Sequence, residues 1–285
     1  MACADAYSMS YQSLLLKLFS ASVLRGLGEK FLLDRAWTIE GGKGAGLRLR
    51  LPQNRDYISG QSEIPVQEEL ACRLNAGDVF YDVGANVGFF SLIAASYVGP
   101  TGCVYAFEPV EANVASIREN ARLNNLNNVT LFALAVGRTS GIAELLLTEW
   151  DGGGSLSTSA VKPPVPIARR NVRVVALDDL IKEERLRLPN FVKIDVEGVE
   201  LDVLIGMSET IAKARPVLLF EVDDGNKASF ERRQRELDDY VAALGYEVFH
   251  LEPSYPNLEW NVGHSLALPQ AIQVSSSYSN NNQGI

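Results

Sequence analysis

From Val79 onward the chain alternates short apolar runs with longer amphipathic ones, and this alternation limits the fold more than any other feature. Apolar runs at 79–83, 103–107, 129–136, 191–195, 216–222 and 246–249 have the length of strands. The segments at 87–98, 110–123, 201–214 and 230–244 carry helical spacing. Strands this apolar are covered on both faces, and a helix between each pair implies parallel neighbours. The expected fold class is therefore α/β, a mostly parallel sheet with helices on both faces. One section breaks the rhythm. Residues 142–147 and 172–175 read as strands with no helix between them. The glycines at 152–154 and the prolines at 163, 164 and 166 make the stretch between them a long loop. Loops of that length in a folded domain tend to serve function, so a substrate-side flap is expected at 149–168.

The first sixty residues read differently. Residues 1–35 are helical in pattern, with breaks near Gly26 and Gly28. Leu14, Leu15, Leu18, Phe19 and Val23 form an apolar stripe at i, i+4 spacing. Core packing and docking on a membrane surface or partner both fit such a stripe. No basic residue precedes the stripe and Lys17 interrupts it, which argues against a signal peptide and a membrane span. A tight turn at 41–46, a half-buried strand at 47–51 and a helix at 66–74 follow. The chain divides into an N-terminal cap at 1–61, a main domain at 62–272 and a disordered tail at 273–285.

Composition removes several function classes. The 26 Lys and Arg face 35 Asp and Glu, giving a net charge of -9. A net-acidic surface lacks the basic footprint that phosphate backbones require, so no nucleic-acid partner is expected. The three cysteines show no CxxC spacing, which excludes a disulfide framework and a Cys-based zinc site. Such sparse cysteine use fits a reducing, cytoplasmic compartment. His250 and His264 are far apart and read as packing residues. Oligomeric state is not legible.

Three motifs carry chemistry. The run from Asp82 to Gly88, DVGANVG, lies at a strand-to-helix turn, where doubly wound sheets bind ligands. Gly84 permits a sharp turn and close approach to the backbone, and the helix start offers free N–H groups. Position 86 is Asn, where a dinucleotide fingerprint has Gly, so a pyrophosphate site is disfavoured. Glu108 stands at the tip of the next strand, twenty residues past Gly88. An acid so placed can accept hydrogen bonds from both ribose hydroxyls, which points to a nucleoside-containing cofactor. A first-turn helix acid is the plain alternative. The third motif, KIDVEGVE from Lys193 to Glu200, sets Asp195, Glu197 and Glu200 just past a buried strand. Asp195 and Glu197 are candidates for base, ligand or polar clamp, with Glu221 behind them. Lys193 shares a strand face with Asp195 and needs it or Glu221 as partner. Asp195, Glu197 and Glu200 do not form a recognisable metal set, so a divalent metal is left open but is not expected.

Taken in order, these motifs with Leu177-Asp178-Asp179-Leu180 strongly resemble the FkbM family of S-adenosylmethionine-dependent methyltransferases. The resemblance runs from residue 62 to 249 and is densest at 78–138 and 175–222. It implies a class I Rossmann-like fold with a seven-stranded sheet and one antiparallel edge strand, for which 265–268 is the candidate. It implies methylation of an oxygen, often a hydroxyl of a sugar, glycan or natural product. By resemblance, Asp82, Gly84, Ala85, Asn86 and Gly88 line the methionine end of S-adenosylmethionine. Glu108 holds the ribose, adenine rests near Pro109 and Ala135, and Asp195 sits beside the sulfonium. Glu63 reaches the cofactor too, although Ser62 stands where the family has an aromatic residue. Two other classes share the features: a nucleotide-dependent oxidoreductase on a doubly wound sheet, and a non-catalytic protein that retains the cofactor pocket.

Overall fold

The structure is a computed structural model and describes residues 36–50, 55–147, 154–159, 166–255 and 259–270. The helix expected within 1–35, the tail, and residues 149–153 and 160–165 of the flap lie outside them.

A hairpin of β1 (Ala36–Thr38) and β2 (Arg48–Arg50) precedes α1 (Arg55–Ser59) and α2 (Ile64–Arg73). Regular alternation follows: β3 (Val79–Val83), α3 (Phe89–Val98), β4 (Cys103–Phe107), α4 (Glu111–Leu123) and β5 (Val129–Phe132). Four strands interrupt it: β6 (Ala135–Val136), β7 (Gly141–Leu147), β8 (Gly154–Leu156) and β9 (Ala168–Val175). It resumes with α5 (Leu177–Glu184), β10 (Phe191–Ile194), α6 (Glu200–Gly206), α7 (Ser208–Ala214) and β11 (Val217–Asp224). The described chain closes with α8 (Lys227–Ala243), β12 (Tyr246–His250) and β13 (Asn261–Pro269).

The main sheet has seven strands in the order β12-β13-β11-β10-β3-β4-β5. Strands β11, β10, β3, β4 and β5 run parallel, while β13 is antiparallel to both its neighbours. The antiparallel strand is thus second from the edge, not at it, and spans more than the expected 265–268. Inserting β13 between β12 and β11 buries Leu266 and Ala267 on opposite faces of the sheet. Phe80, Phe191, Leu219 and Leu266 pack on one face beneath α2 and α3. Tyr81, Val192, Leu218, Phe220 and Ala267 pack on the other against α5 to α8. Alternate residues of each strand therefore feed two cores, which is why these strands read as continuous apolar runs. Each fully buried Phe contributes about 1.5–3 kcal/mol.

Two expected elements split. The run at 129–136 is two strands, because β6 leaves β5 and pairs in parallel with β9 in a second sheet ordered β6-β9-β7-β8. The helix expected at 201–214 is α6 and α7, divided at Met207. Asp178 forces this break: its carboxylate accepts hydrogen bonds from Glu209 N, Thr210 N and Thr210 Oγ1 and so caps a new helix start. Strands β7 and β9 pair directly and antiparallel, and β8 in the middle of the expected loop pairs with β7. The hairpin β1–β2 sends Ile39 and Leu49 into the same core as α3. Its second strand is tied to α4 by Arg50 N donating to Asn120 Oδ1.

Candidate active site

The sheet reverses its winding between β3 and β10, which are adjacent though far apart in sequence. Ligand clefts open at such a switch point, beyond the carboxyl ends of the strands. Here the cleft encloses about 200 Å³.

One wall is the turn from β3 into α3. Register pairs Val83 with Ile194, so the next residues, Gly84 and Asp195, meet. A Cβ on Gly84 would fall 1.7 Å from Asp195 O, and its φ is +83°. Both facts exclude any side chain there. Gly88 also has a left-handed φ, +86°, and abuts Ile117 of α4 rather than the sheet. Glu108 binds this turn to the tip of β4. Its Oε2 accepts from Asn86 N at 2.8 Å, and its Oε1 accepts from Val110 N at 2.8 Å and Asn113 Nδ2 at 3.3 Å. Burial pushes the Glu108 carboxyl up to about 7, against the pull of those donors. Oε2 retains accepting capacity, whereas Oε1 is used by two donors. The Asn86 Oδ1 is buried without a hydrogen-bond partner. Leu134, Ala135, Val136 and Pro109 supply an apolar face beside this polar group.

The tip of β10 supplies the second wall. Lys193 is fully buried and its Nζ donates to Asp195 Oδ2 at 2.8 Å, with the Phe90 ring centroid 4.8 Å away. Burial opposes the ammonium, but Asp195, Glu63, Asp82 and Glu221 surround it and hold its pKa up. Lys193 therefore positions Asp195 from beneath and does not reach the cleft wall. Asp195 and Glu197 do line it. Glu197 has a left-handed φ of 55° and accepts from Ser159 Oγ through its carbonyl. Withdrawal from solvent and the carboxylates of Asp223 and Asp195 raise its pKa. More than a third of the residue is exposed, so water screens much of that effect. Glu200, the third acid of the motif, turns away: it is buried against Arg233 at 2.9 Å.

The floor comes from three remote segments. Glu63 caps α2 with a left-handed φ of 46°. The buried Gln67 steadies the approach by donating to Gly60 O and Ser62 O. His264 Nε2 lies 3.1 Å from Glu63 Oε2 and 2.7 Å from Glu221 Oε2. Tyr255 OH donates to Glu63 Oε1 at 3.4 Å. Burial pushes Glu221 up to about 8, with Asp195 adding to the rise. Burial works against the His264 imidazolium, yet its bonds to Glu221 and Glu63 raise it to about 10. Glu63 falls below its ordinary value because the His264 contacts outweigh its burial.

Of the expected residues, Glu63, Gly84, Asn86, Glu108, Pro109, Ala135, Asp195 and Glu197 line one cleft. Ala85, Asp82, Gly88 and Lys193 do not. Asp82 is buried beneath, where Ser91 Oγ donates to it at 2.5 Å. His264 is no mere packing residue, since it joins two of the cleft's carboxylates. Gly154 and Leu156 of the expected flap face the cleft, and so does Leu145 of the expected strand at 142–147, whereas sequence reasoning missed Tyr57 and Asn113. Only Asn113 had a local signal, as a polar residue in the first turn after Glu108. Three of the six non-glycine residues with positive φ among those described, Glu63, Asn86 and Glu197, line this cleft. Strain of that kind costs about 1–3 kcal/mol per residue and gathers at functional sites.

Residues 82–248 match the Methyltransferase FkbM domain. The 31-O-demethyl-FK506 methyltransferase FkbM of Streptomyces tacrolimicus is 30% identical over 48% of this chain and 62% of its own length. The 2-O-methyltransferase NoeI of Sinorhizobium fredii is 28% identical over 60% of this chain and 76% of its own. The AMB antimetabolite synthetase AmbE of Pseudomonas aeruginosa is 29% identical over 60% of this chain, but that match spans 10% of AmbE. The match likewise spans only 57% of Methyltransferase 1 of Beauveria bassiana and 55% of the hexuronic acid methyltransferase AglP of Haloferax volcanii. A match to more than half of the chain, on a sheet of this order, establishes that the chain belongs to the FkbM methyltransferase family.

Proposed function

We propose that this chain transfers a methyl group from S-adenosylmethionine to a hydroxyl of a sugar, glycan or other small natural product. The observation that carries this reading is the gathering of Glu63, Glu108, Asp195 and Glu221 around one cleft at the switch point. Carboxylates so concentrated attract a cationic donor. S-adenosylmethionine supplies, when bound, an electrophilic methyl group on a positively charged sulfur. The residues present fit it. Glu108 Oε2 has room for a ribose hydroxyl, and the orphaned Asn86 Oδ1 can accept an N–H from the ligand. Leu134, Val136 and Pro109 suit a flat apolar ring. Gly84 lets the ligand lie against backbone. AglP is named for a hexuronic acid acceptor, FkbM for 31-O-demethyl-FK506 and NoeI for 2-O-methylation, which supports an oxygen acceptor.

The chain's own chemistry follows from two acids with different neighbours. Asp195 is tied to Lys193 and suits orientation of a positive group. Glu221, raised to about 8, has proton affinity near neutrality, where general bases work best. With S-adenosylmethionine held here, its methyl carbon would pass from sulfur to the acceptor oxygen, and Glu221 would take the hydroxyl proton. Alignment of the reacting atoms contributes most of the acceleration, about 7–11 kcal/mol. The sheet β6-β9-β7-β8 overhangs the cleft with Leu145 and Leu156 and forms the acceptor side. The domain spans 62–272, with the hairpin β1–β2 packed on it. An assay of S-adenosylhomocysteine release over glycans and small alcohols tests the reading. Release with at least one hydroxyl acceptor is expected. No binding of S-adenosylmethionine by calorimetry refutes it.

A further inference from the structure

We infer that Glu63, Glu221 and His264 form a binding site for one divalent transition-metal cation in the floor of the cleft. Three elements deliver these residues: the start of α2, β11 and β13. One carboxylate oxygen of each Glu and the imidazole nitrogen all lie within 4.8 Å of one another. The two His264 distances, 2.7 and 3.1 Å, match the separation of adjacent ligands around such a cation, roughly 3 Å for bonds of about 2.1 Å.

Hydrogen bonding alone leaves the cluster poorly served. His264 Nε2 carries at most one hydrogen, and two carboxylate oxygens face that nitrogen. His264 Nδ1 has only Ser254 Oγ, at 3.4 Å. The wider charge count is also uneven. Glu63, Asp82, Asp195 and Glu221 surround Lys193, and among the described residues His264 is the one other cationic group bonded to any of them. Four carboxyl groups thus gather around two cationic side chains, and a divalent ion at this point would sit among them. An Nε2 proton and a cation exclude one another, since they occupy the same place.

Ligand chemistry narrows the ion. Two carboxylates and an imidazole suit Mn²⁺, Fe²⁺, Co²⁺ or Zn²⁺, whereas Mg²⁺ and Ca²⁺ prefer oxygen alone. Glu63 and Glu221 line the cleft, so remaining coordination positions open toward the ligand. The cation's use there rests on the methyl-transfer reading: bound to the acceptor oxygen, it lowers the hydroxyl pKa and replaces Glu221, then a ligand, as the group that activates the hydroxyl. Sequence pointed away from this site because it weighed Asp195, Glu197 and Glu200, while the converging set is scattered over two hundred positions.

The test is Mn²⁺ binding to the whole chain without S-adenosylmethionine, by equilibrium dialysis and pulsed electron paramagnetic resonance. One equivalent of Mn²⁺ with ¹⁴N coupling to an imidazole is expected. Absence of stoichiometric binding, or bound Mn²⁺ without ¹⁴N coupling, overturns the site in the wild-type protein. His264→Gln and Glu221→Gln, if folded by circular dichroism, should each weaken Mn²⁺ at least about 100-fold, beyond the 10–100-fold typical of a lost outer partner. Unchanged affinity in both overturns it. A separate calorimetric titration with S-adenosylmethionine keeps the two readings distinct, because either ligand can bind while the other fails.

Discussion

The wall built around Gly84, Asn86 and Glu108 draws on thirty consecutive residues, whereas the floor draws Glu63, Glu221 and His264 from opposite ends of the domain. In the wall, backbone does most of the work: a left-handed glycine, N–H groups and one acid that fastens them. In the floor, side chains do it, and each is held by the others. The difference teaches where each half is vulnerable. A wall made of backbone fails when a side chain is added. A floor made of mutually neutralising charges fails when one charge is removed.

The largest effect should come from adding an atom to the wall. Gly84→Ala puts a Cβ 1.7 Å from Asp195 O at a φ of +83°. A loss of more than about 4 kcal/mol is expected by denaturant unfolding. Gly46 has a similar φ, +89°, but open space around it, so Gly46→Ala should cost only about 1 kcal/mol. Equal losses at both sites would mean that backbone strain, not the approach of β10, decides the position. Between wall and floor, Lys193→Met removes the buried ammonium beneath Asp195 and leaves several carboxylates facing one another. A loss of about 3–5 kcal/mol is expected, measured the same way. A variant as stable as the parent would show that those carboxylates are already neutral.

The same contrast explains what was legible beforehand. The parallel sheet announced itself through runs such as 79–83 and 191–194, since strands feeding two cores are apolar at nearly every position, with the buried Asp82 and Lys193 as the exceptions. Gly84 and Glu108 were readable because the glycine turn and the acid that fastens it lie close in sequence, although the Asp195 carbonyl that excludes a side chain at Gly84 does not. The break at Met207 was not, because it depends on Asp178 reaching across from another helix. Nor was the fate of Glu200, which looked like Asp195 until Arg233 claimed it from thirty-three residues away. His264 carries no local mark at all. Its identity as a site residue depends on β13 being inserted beside β11, which pairs it with Glu221. A strand with one histidine in it gives no hint of that register.

A smaller effect separates binding from folding in the wall. Glu108→Gln keeps the side chain's shape but turns one acceptor into a donor that faces an N–H. S-adenosylmethionine affinity should fall about tenfold to a hundredfold, as for a lost charge-assisted hydrogen bond of about 1.5–3 kcal/mol. Stability should change by only about 1 kcal/mol, since two of the three N–H bonds can be retained. Unaltered affinity would remove Glu108 from the cofactor site.

The smallest effect is carried by pH and compares the two halves directly. The folded-state pKa of Glu108 is raised to about 7 and that of Glu221 to about 8, both chiefly by burial. The folded protein therefore binds more protons than the unfolded chain between each of those values and the ordinary carboxylate value of about 4.3. Stability must rise as pH falls through that window. His264, raised to about 10, acts in the same direction, because its stabilisation is complete below about 6.5 and is lost as pH climbs through the folded value. The protein without ligand should thus be more stable at pH 6 than at pH 9, read as a higher melting temperature at pH 6. Glu221→Gln should flatten the slope up to about pH 8, while Glu108→Gln should flatten only the part below about pH 7. If both variants keep the parent's slope, the charge that governs folding lies outside the cleft.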